Sequence, residues 1–419
     1  MARTLAQLWL ILMVALAGGC QGRVNYRIDA HFPVSDPQFA QTVGNLLGPA
    51  LTPGNKVTTL LNGDEIFPAM LEAIEHAQKS ITLETYIYWS GEVGKKFAVA
   101  LEKRARAGVK VYVLIDAYGS GLVSATDLQA MRDAGVNVYK YNDFQFYNPQ
   151  SYVKMDHRTH RKLLIVDGTV GFTGGVGLAD MWDGHAEDAD HWRDNHYRIE
   201  GPVVAQLQAV FAENWMRTCG DVLEGDAFFP PLSPQGGQWA QVFKSTPELD
   251  SVTVELVMLL SFAHAQQHIR IESPYFVLDG QSRKALLDAA QRGVKIEIIV
   301  PGRHIDEKIV RMASRADWGD LLKAGVEIYE YQPTMIHSKL LIVDDVWTSI
   351  GSSNMDNRSF HINDEANLNV LDAQFAARQT QVFEMDKAKC RRITLEEWQK
   401  RPLTVLLGEW WSSVFRAEL

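Results

Sequence analysis

Two kinds of apolar spacing alternate along most of this chain. Residues 67–78 carry apolar side chains at helical spacing, and residues 81–88 form a short run rich in β-branched and aromatic residues, which predicts a helix and then a strand. The alternation continues with a helix over 94–107 and a strand over 109–116. Gly108 and Gly135 stand where a helix C-terminus calls for left-handed backbone. Strands alternating with helices predict an α/β fold, a mostly parallel sheet with helices on its faces. Two further runs, Leu163-Leu164-Ile165-Val166 and Leu340-Leu341-Ile342-Val343, are apolar at every position, as in a strand covered on both sides.

The flanks of those two runs match. His160-Arg161-Lys162 leads into the first and His337-Ser338-Lys339 into the second, and Asp167 and Asp344 close them, so both read H-x-K-x-x-x-x-D. Side chains alternate along a strand, so the His and Lys of each copy point to one side. One such motif is a weak signal. Its surroundings, however, recur in order: Ala77 to Thr85 is echoed by Ala265 to Ser273, Ala107 to Val111 by Arg292 to Ile296, and Ala134 to Tyr141 by Ala324 to Tyr331. The offsets are 188, 185 and 190, with 177 between the histidines (337 minus 160). Four segments repeated in order indicate a duplicated domain, and the unit is too long for a solenoid.

Composition fits this picture and narrows it. A chain of 419 residues, 46% apolar and 22% charged, has room for two globular domains. The formal net charge of −10 opposes bulk attraction to a polyanion, which disfavours a nuclease. Cys20, Cys219 and Cys390 are too few and scattered for a zinc site. Cys219 and Cys390 follow Phe211 and Phe383 at similar distances, which leaves a disulfide or two unrelated buried thiols. The segment from Asp183 to His191, with His196, is rich in potential ligands but lacks helical i, i+4 spacing, so no metal site is expected.

Arg3, the apolar run Leu8 to Ala17 and Gly18-Gly19-Cys20 have the layout of a signal peptide with a lipoprotein-type cleavage box, which makes Cys20 a candidate for lipidation; an uncleaved anchor is the alternative. The expected organisation is therefore a leader over 1–20, a tether and packing arm over 21–55, a first domain over 56–223, a Pro/Gly-punctuated linker over 224–248, a second domain over 249–390 and a tail over 391–419. The tail tryptophans Trp398, Trp410 and Trp411 suit either an interfacial helix or packing on the body. The aromatic loop with Phe144, Phe146, Tyr147 and Tyr152 suits either an acyl pocket or ordinary packing.

The paired motif resembles the phospholipase D superfamily, and its flanks resemble the bacterial cardiolipin synthase branch. The similar stretches are Leu83 to Tyr88, Asp116 to Ser120, His160 to Leu164, Trp192-Arg193-Asp194, Ser273 to Phe276, His337 to Lys339, Gly351 to Asn354 and Arg358-Ser359-Phe360, spread over about residues 55–390. The resemblance implies two pseudo-twofold-related α/β/α domains sharing one site at their interface. It implies a phosphatidyltransferase without cofactor or metal, in which His160 forms a phosphohistidine and His337 protonates the leaving alkoxide. Phosphatidylglycerol would be the acceptor, phosphatidylglycerol or phosphatidylethanolamine the donor, and a membrane surface the working partner, with no nucleic acid. The expected location is a bacterial membrane, lipid-anchored and facing the periplasm, with the outer membrane as an option.

Within that reading, Lys162 and Lys339 hold the non-bridging phosphate oxygens, and Ser352 and Asn354 donate to the same phosphate. The first half departs from the pattern, with Gly175 and Gly177 at the matching positions. Each histidine needs an orienting carboxylate. Glu365, 28 residues after His337, is expected to serve that histidine, and Asp194 to serve His160, with Asp188 and Asp190 as competitors. Asp167 and Asp344 complete the motif but end their strands, where they buttress the fold rather than touch substrate. The rival readings are hydrolysis of phospholipid to phosphatidic acid, which needs the same residues, and an inactive lipid-binding scaffold, which two intact H-x-K pairs disfavour.

Overall fold

The computed structural model describes residues 24–143, 156–246 and 253–413. In it the motif strand Leu163–Val166 lies antiparallel to Ser80–Thr85 on one side and to Val170–Gly174 on the other. The second motif strand, Leu340–Val343, has the same neighbours in its own half, His268–Glu272 and Trp347–Gly351. Each half thus contains the same seven strands. Three are helix-connected and parallel (Ser80–Thr85, Lys110–Asp116, Asn137–Tyr141; His268–Glu272, Lys295–Pro301, Glu327–Tyr331). The other four are antiparallel, ending in Asn195–Glu200 and Thr52–Leu61 in the first half and in Glu365–Leu371 and Gln238–Ser245 in the second. Cys390–Ile393 adds one edge strand, for fifteen in a single hydrogen-bonded order.

The expectation of a mostly parallel sheet therefore holds only where helices make the crossovers. Val166 and Val170 are joined by three residues, and a connection that short can only return antiparallel. The two halves meet where Thr52–Leu61 lies against Gln238–Ser245, paired at Thr52↔Ala240 and Asn55↔Gln238. A shared core lies under this joint. Leu163, Ile165, Phe211 and Trp215 of the first half pack in one cluster with Val242, Leu340, Ile342 and Phe375 of the second.

Three stretches differ from their sequence reading. The polar stretch 224–248 contains the strand Gln238–Ser245, which runs the length of Glu365–Leu371 and so lies inside the sheet. The N-terminal arm carries a helix, Pro37–Leu47, capped by Asp36, whose Phe39 and Val43 are buried in the core of the second half, Phe39 against Trp347 at 5.0 Å. The tail divides. Trp398 is half-buried, its indole N–H donates to the Arg315 carbonyl at 2.7 Å and Arg401 stacks on its ring at 3.6 Å, whereas Trp410 and Trp411 are 67% and 57% exposed. Cys219 and Cys390 are free thiols, each bonded to the carbonyl four residues earlier, of Trp215 and Asp386. Cys20 and the aromatic loop 144–152 lie outside the described residues.

The motif aspartates have a definite job. Asp167 sits at φ +54° at the far end of its strand from His160, and its carboxylate accepts the backbone N–H groups of Gln78, Lys79 and Ser80. Asp344, at φ +51°, does the same for Gln266, Gln267 and His268. Each ties the start of a neighbouring parallel strand to the end of the motif strand, so a direct catalytic role for either is set aside. Replacing Asp344 by Ala strands three donors. It should destabilise the protein by about 2–3 kcal/mol in urea unfolding, and a loss below about 0.5 kcal/mol would show that water satisfies those groups.

Candidate active site

Both histidines are placed by the other half of the molecule. The chain entering the first motif runs parallel to the chain entering Glu365–Leu371, bridging Thr159 to Asp364, with the His160 N–H donating to the Asp364 carbonyl at 2.9 Å. The chain entering the second motif runs parallel to the segment before Asn195–Glu200 in the same way, bridging Ile336 to Arg193, with the His337 N–H donating to the Arg193 carbonyl at 2.7 Å. Register then fixes the next residues side by side: His160 beside Glu365 and His337 beside Asp194.

The side chains follow that register. His160 Nδ1 is 2.9 Å from Glu365 Oε1, and His337 Nδ1 is 2.8 Å from Asp194 Oδ2. The within-half pairing expected from sequence is therefore corrected: each histidine is oriented by the carboxylate of the opposite half. Asp188 is no competitor, since it bonds His191 in an exposed loop. Both carboxylates are fully buried, and an acceptor on Nδ1 fixes a proton there, so Nε2 is the lone-pair nitrogen of each neutral ring.

What holds the carboxylates differs between the halves. Glu365 accepts from the hydroxyls of Ser352 and Ser359. Ser352 is thus committed to the carboxylate rather than free to donate to a phosphate, which corrects its expected role. In the first half Gly175 stands at the position of Ser352, and a Cβ there would collide with the Asp194 carboxylate. The missing hydroxyl is replaced from elsewhere: Trp182 Nε1 donates to Asp194 Oδ2 at 3.1 Å and the Asn195 N–H to Oδ1 at 2.7 Å.

Aromatic rings line the walls. Tyr86 stands edge-on to His160 at 5.3 Å, and Trp182 and Trp192 each lie 5.4 Å from His337. The roles of Tyr86 and Trp182 are not readable from the motifs. Tyr86 directly follows the strand Ser80–Thr85, and Trp182 closes a short helical turn outside every stretch named above. His160, Lys162, His337 and Asn354 all line one open cleft of about 620 Å³. The Asn354 amide oxygen there is buried without a hydrogen-bond partner among the described residues.

Two buried lysines stand beside the two histidines. Lys162 Nζ donates to the His160 carbonyl at 2.7 Å, and Lys339 Nζ sits 2.9 Å from the His337 ring nitrogens. Burial, then the facing Lys339, lowers Lys162 to about 7, and burial lowers Lys339 to about 8. Burial likewise lowers His160 to about 4, against the pull of Glu365, and holds His337 well below its ordinary value with Lys339 adding to the effect. Burial alone would raise Glu365, but the charge of and hydrogen bond from His160 bring it down to about 2, while burial prevails at Asp194 and pushes it up to about 6. Two lysines and two histidines thus converge here with the carboxylates of Glu365 and Asp194 on the Nδ1 side of the rings, a field that suits an oxyanion.

Two outcomes follow. In protein labelled with ¹⁵N-histidine, Glu365→Gln should move the His160 ring resonances and leave those of His337 in place, and Asp194→Asn should do the reverse; the opposite assignment would restore within-half pairing. Secondly, an oxyanion such as phosphate raises the lowered lysines when it binds. Because they lie near 7 and 8 in the free protein, binding at pH 8 should take up protons, on the order of one per site. Calorimetry in buffers of different ionisation enthalpy measures this, and proton release on binding would contradict it.

With this geometry in place, comparison with known proteins gives a consistent result. The family described as "Cardiolipin synthase, PLD-like domain" matches residues 70–215 and 258–387, one stretch in each half. The cardiolipin synthase of a Geobacillus strain is 37% identical over 354 residues, covering 84% of this chain and 70% of its own. Cardiolipin synthase A of Pseudomonas fluorescens is 34% identical over 350 residues, covering 82% and 71%. Among solved structures, a phosphatidylserine synthase of Haemophilus influenzae superposes with a TM-score of 0.67 at 13% identity, covering 91% of this chain and all of that one, a likeness of fold. The chain belongs to the cardiolipin synthase family of phospholipase D-like proteins.

Proposed function

We propose that this protein is a phosphatidyltransferase that builds cardiolipin from phosphatidylglycerol through a phosphohistidine. The observation that carries the reading is the pair of imidazoles in one cleft, each with Nδ1 tied to a buried carboxylate, which leaves Nε2 for the chemistry, that of His337 beside Lys339 Nζ at 2.9 Å. Phosphodiester exchange needs a nucleophile and a proton donor on opposite sides of phosphorus, and two such rings supply them.

In this reading His160 Nε2 attacks the donor phosphorus while His337 protonates the departing alkoxide, glycerol if the donor is phosphatidylglycerol or ethanolamine if it is phosphatidylethanolamine. His337 then takes the proton of the acceptor hydroxyl, whose oxygen attacks phosphorus and releases His160. Lys162 and Lys339 neutralise the charge of the pentacovalent state, and Asn354 donates to it. The electrostatics fit this division of labour. An ionised Glu365 makes His160 the better nucleophile. Burial and Lys339 favour the neutral ring of His337, so it serves as the acid once the substrate phosphate has offset the lysine charge and raised it.

Lipid substrates place the work at a membrane surface. No helix among the described residues is long and apolar enough to cross a bilayer. In this proposal attachment comes from the N-terminal segment, by lipidation at Cys20 or by its apolar run, with the catalytic body on the periplasmic side. The two matched stretches are the two phospholipase D-like domains of the proposal.

Full-length protein in phosphatidylglycerol vesicles with EDTA should yield cardiolipin and glycerol, identified by mass spectrometry. Phosphatidic acid as the only product would make it a hydrolase, and loss of turnover with EDTA would remove the metal-free mechanism. His160→Ala should lower turnover by at least about 10³-fold without lowering the unfolding midpoint by more than a few degrees.

A further inference from the structure

The catalytic lysines and histidines account for one phosphate, yet the cleft carries two more cations at its mouth. Arg158 precedes His160 by two residues and Arg358 follows Asn354 by four, so one comes from each half, and both line the same cleft. The Arg158 guanidinium lies over the Tyr118 ring at 4.7 Å and donates to the His157 carbonyl at 3.3 Å; it forms no ion pair among the described residues. Arg358 is held by Asp156 at 3.2 Å, from the segment that leads into Arg158, and by the Asp156 carbonyl at 3.0 Å. Tyr86, the ring that stands against His160, lines the cleft with both arginines. The two guanidiniums therefore share one cleft with His160.

Four carboxylates line the same cleft: Asp156, which pairs with Arg358; Asp356, which accepts the Ser359 N–H; Asp306, which accepts from the Tyr275 hydroxyl at 2.6 Å; and Glu307. Arg158 is the guanidinium there without a carboxylate partner among the described residues, so a second phosphate is drawn to its side. The chain as a whole, at −10, supplies no general attraction for anions, so local cations must.

We propose that Arg158 and Arg358 form a second phosphate subsite, which holds the phosphodiester of the acceptor lipid while its free hydroxyl is aimed at the phosphohistidine. This rests on the transferase reading and deepens it: the acceptor is an anionic lipid with a hydroxyl a few bonds from its own phosphate. Guanidinium suits this task because its planar fork matches two phosphate oxygens. Water and small neutral alcohols have no phosphate to offer, so the subsite favours synthesis over hydrolysis by raising the local concentration of one acceptor. Arg158 and Arg358 are positioning and specificity residues here; they touch the acceptor and not the reacting phosphorus.

The test lets two acceptors compete for one intermediate. With phosphatidylglycerol as donor in mixed micelles and ethanol present, wild-type protein divides its phosphatidyl groups between cardiolipin and phosphatidylethanol. Arg158→Ala should shift that ratio toward phosphatidylethanol by at least about tenfold. Arg158→Lys should restore part of the ratio and Arg358→Lys should shift it in the same direction. An unchanged ratio, or equal loss of both products, overturns the subsite. Glycerol phosphate gives an arm independent of cardiolipin: it should inhibit phosphatidylethanol formation by the wild type and do so about tenfold more weakly in Arg158→Ala. Equal inhibition overturns the subsite. Wild type that makes phosphatidylethanol but no cardiolipin overturns the proposed function, and the glycerol phosphate arm then decides the subsite alone. Binding to phosphatidylglycerol vesicles should be unaffected in Arg158→Ala; a parallel loss would make the arginines a membrane contact and overturn the acceptor assignment.

Discussion

Everything in the cleft depends on two short parallel bridges that cross between the halves. Thr159 against Asp364 and Ile336 against Arg193 set a register, and that register sets which carboxylate meets which imidazole. Neither half holds a complete site, because the orienting acid of each histidine belongs to its partner. Ion pairs beside the bridges lock the same joint. Arg193, next to Asp194, pairs with Asp386 of the second half at 2.7 Å, and Asp364, next to Glu365, pairs with Arg217 of the first half at 3.4 Å. The signs are reversed between the two. Identical halves would place like charges in corresponding positions, so the inversion marks a joint specialised for two unlike partners.

Duplication has also relaxed the symmetry of the chemistry. A glutamate with two serine donors orients one ring, and a shorter aspartate with an indole donor and a backbone N–H orients the other. Gly175 is required by the second arrangement, since any side chain there would displace the Asp194 carboxylate. The apparent loss of a phosphate donor in the first half is thus the making of room for an acid. The outcome is two imidazoles in unequal fields, which is what a nucleophile and a proton donor need to be.

Sequence made much of this legible, and its failures have physical causes. Strands showed in apolar runs, helix ends at Gly108 and Gly135, and the duplication in four ordered echoes, because each is written within some ten residues. The pairing of acid and histidine is not local. His160 and Glu365 are 205 residues apart and His337 and Asp194 are 143 apart, so a choice by proximity along the chain favoured the wrong partner both times. The strand Gln238–Ser245 was hidden for another reason. Half of its eight residues are polar (Gln238, Gln241, Lys244 and Ser245), although Gln241 and Ser245 are buried, and the prolines and glycines just before it carry the mark of a linker. Trp182 was beyond reach altogether, since an indole in a loop is indistinguishable from packing until the acid it serves is placed.

The electrostatic state of the cleft ties these strands together. Burying two lysines and two histidines at one point is unfavourable, and each is pushed toward its neutral form by the loss of water and, for Lys162 and His337, by a facing lysine. Two buried carboxylates offset part of that cost without entering the space where phosphorus must sit. In the proposed reaction the lysines meet their counter-charge on the phosphate oxygens, the more so as charge builds there in the pentacovalent state, which is the condition under which binding free energy becomes rate. Stability surrendered at this joint is recovered in the shared apolar core beneath it, where residues of both halves pack as one cluster.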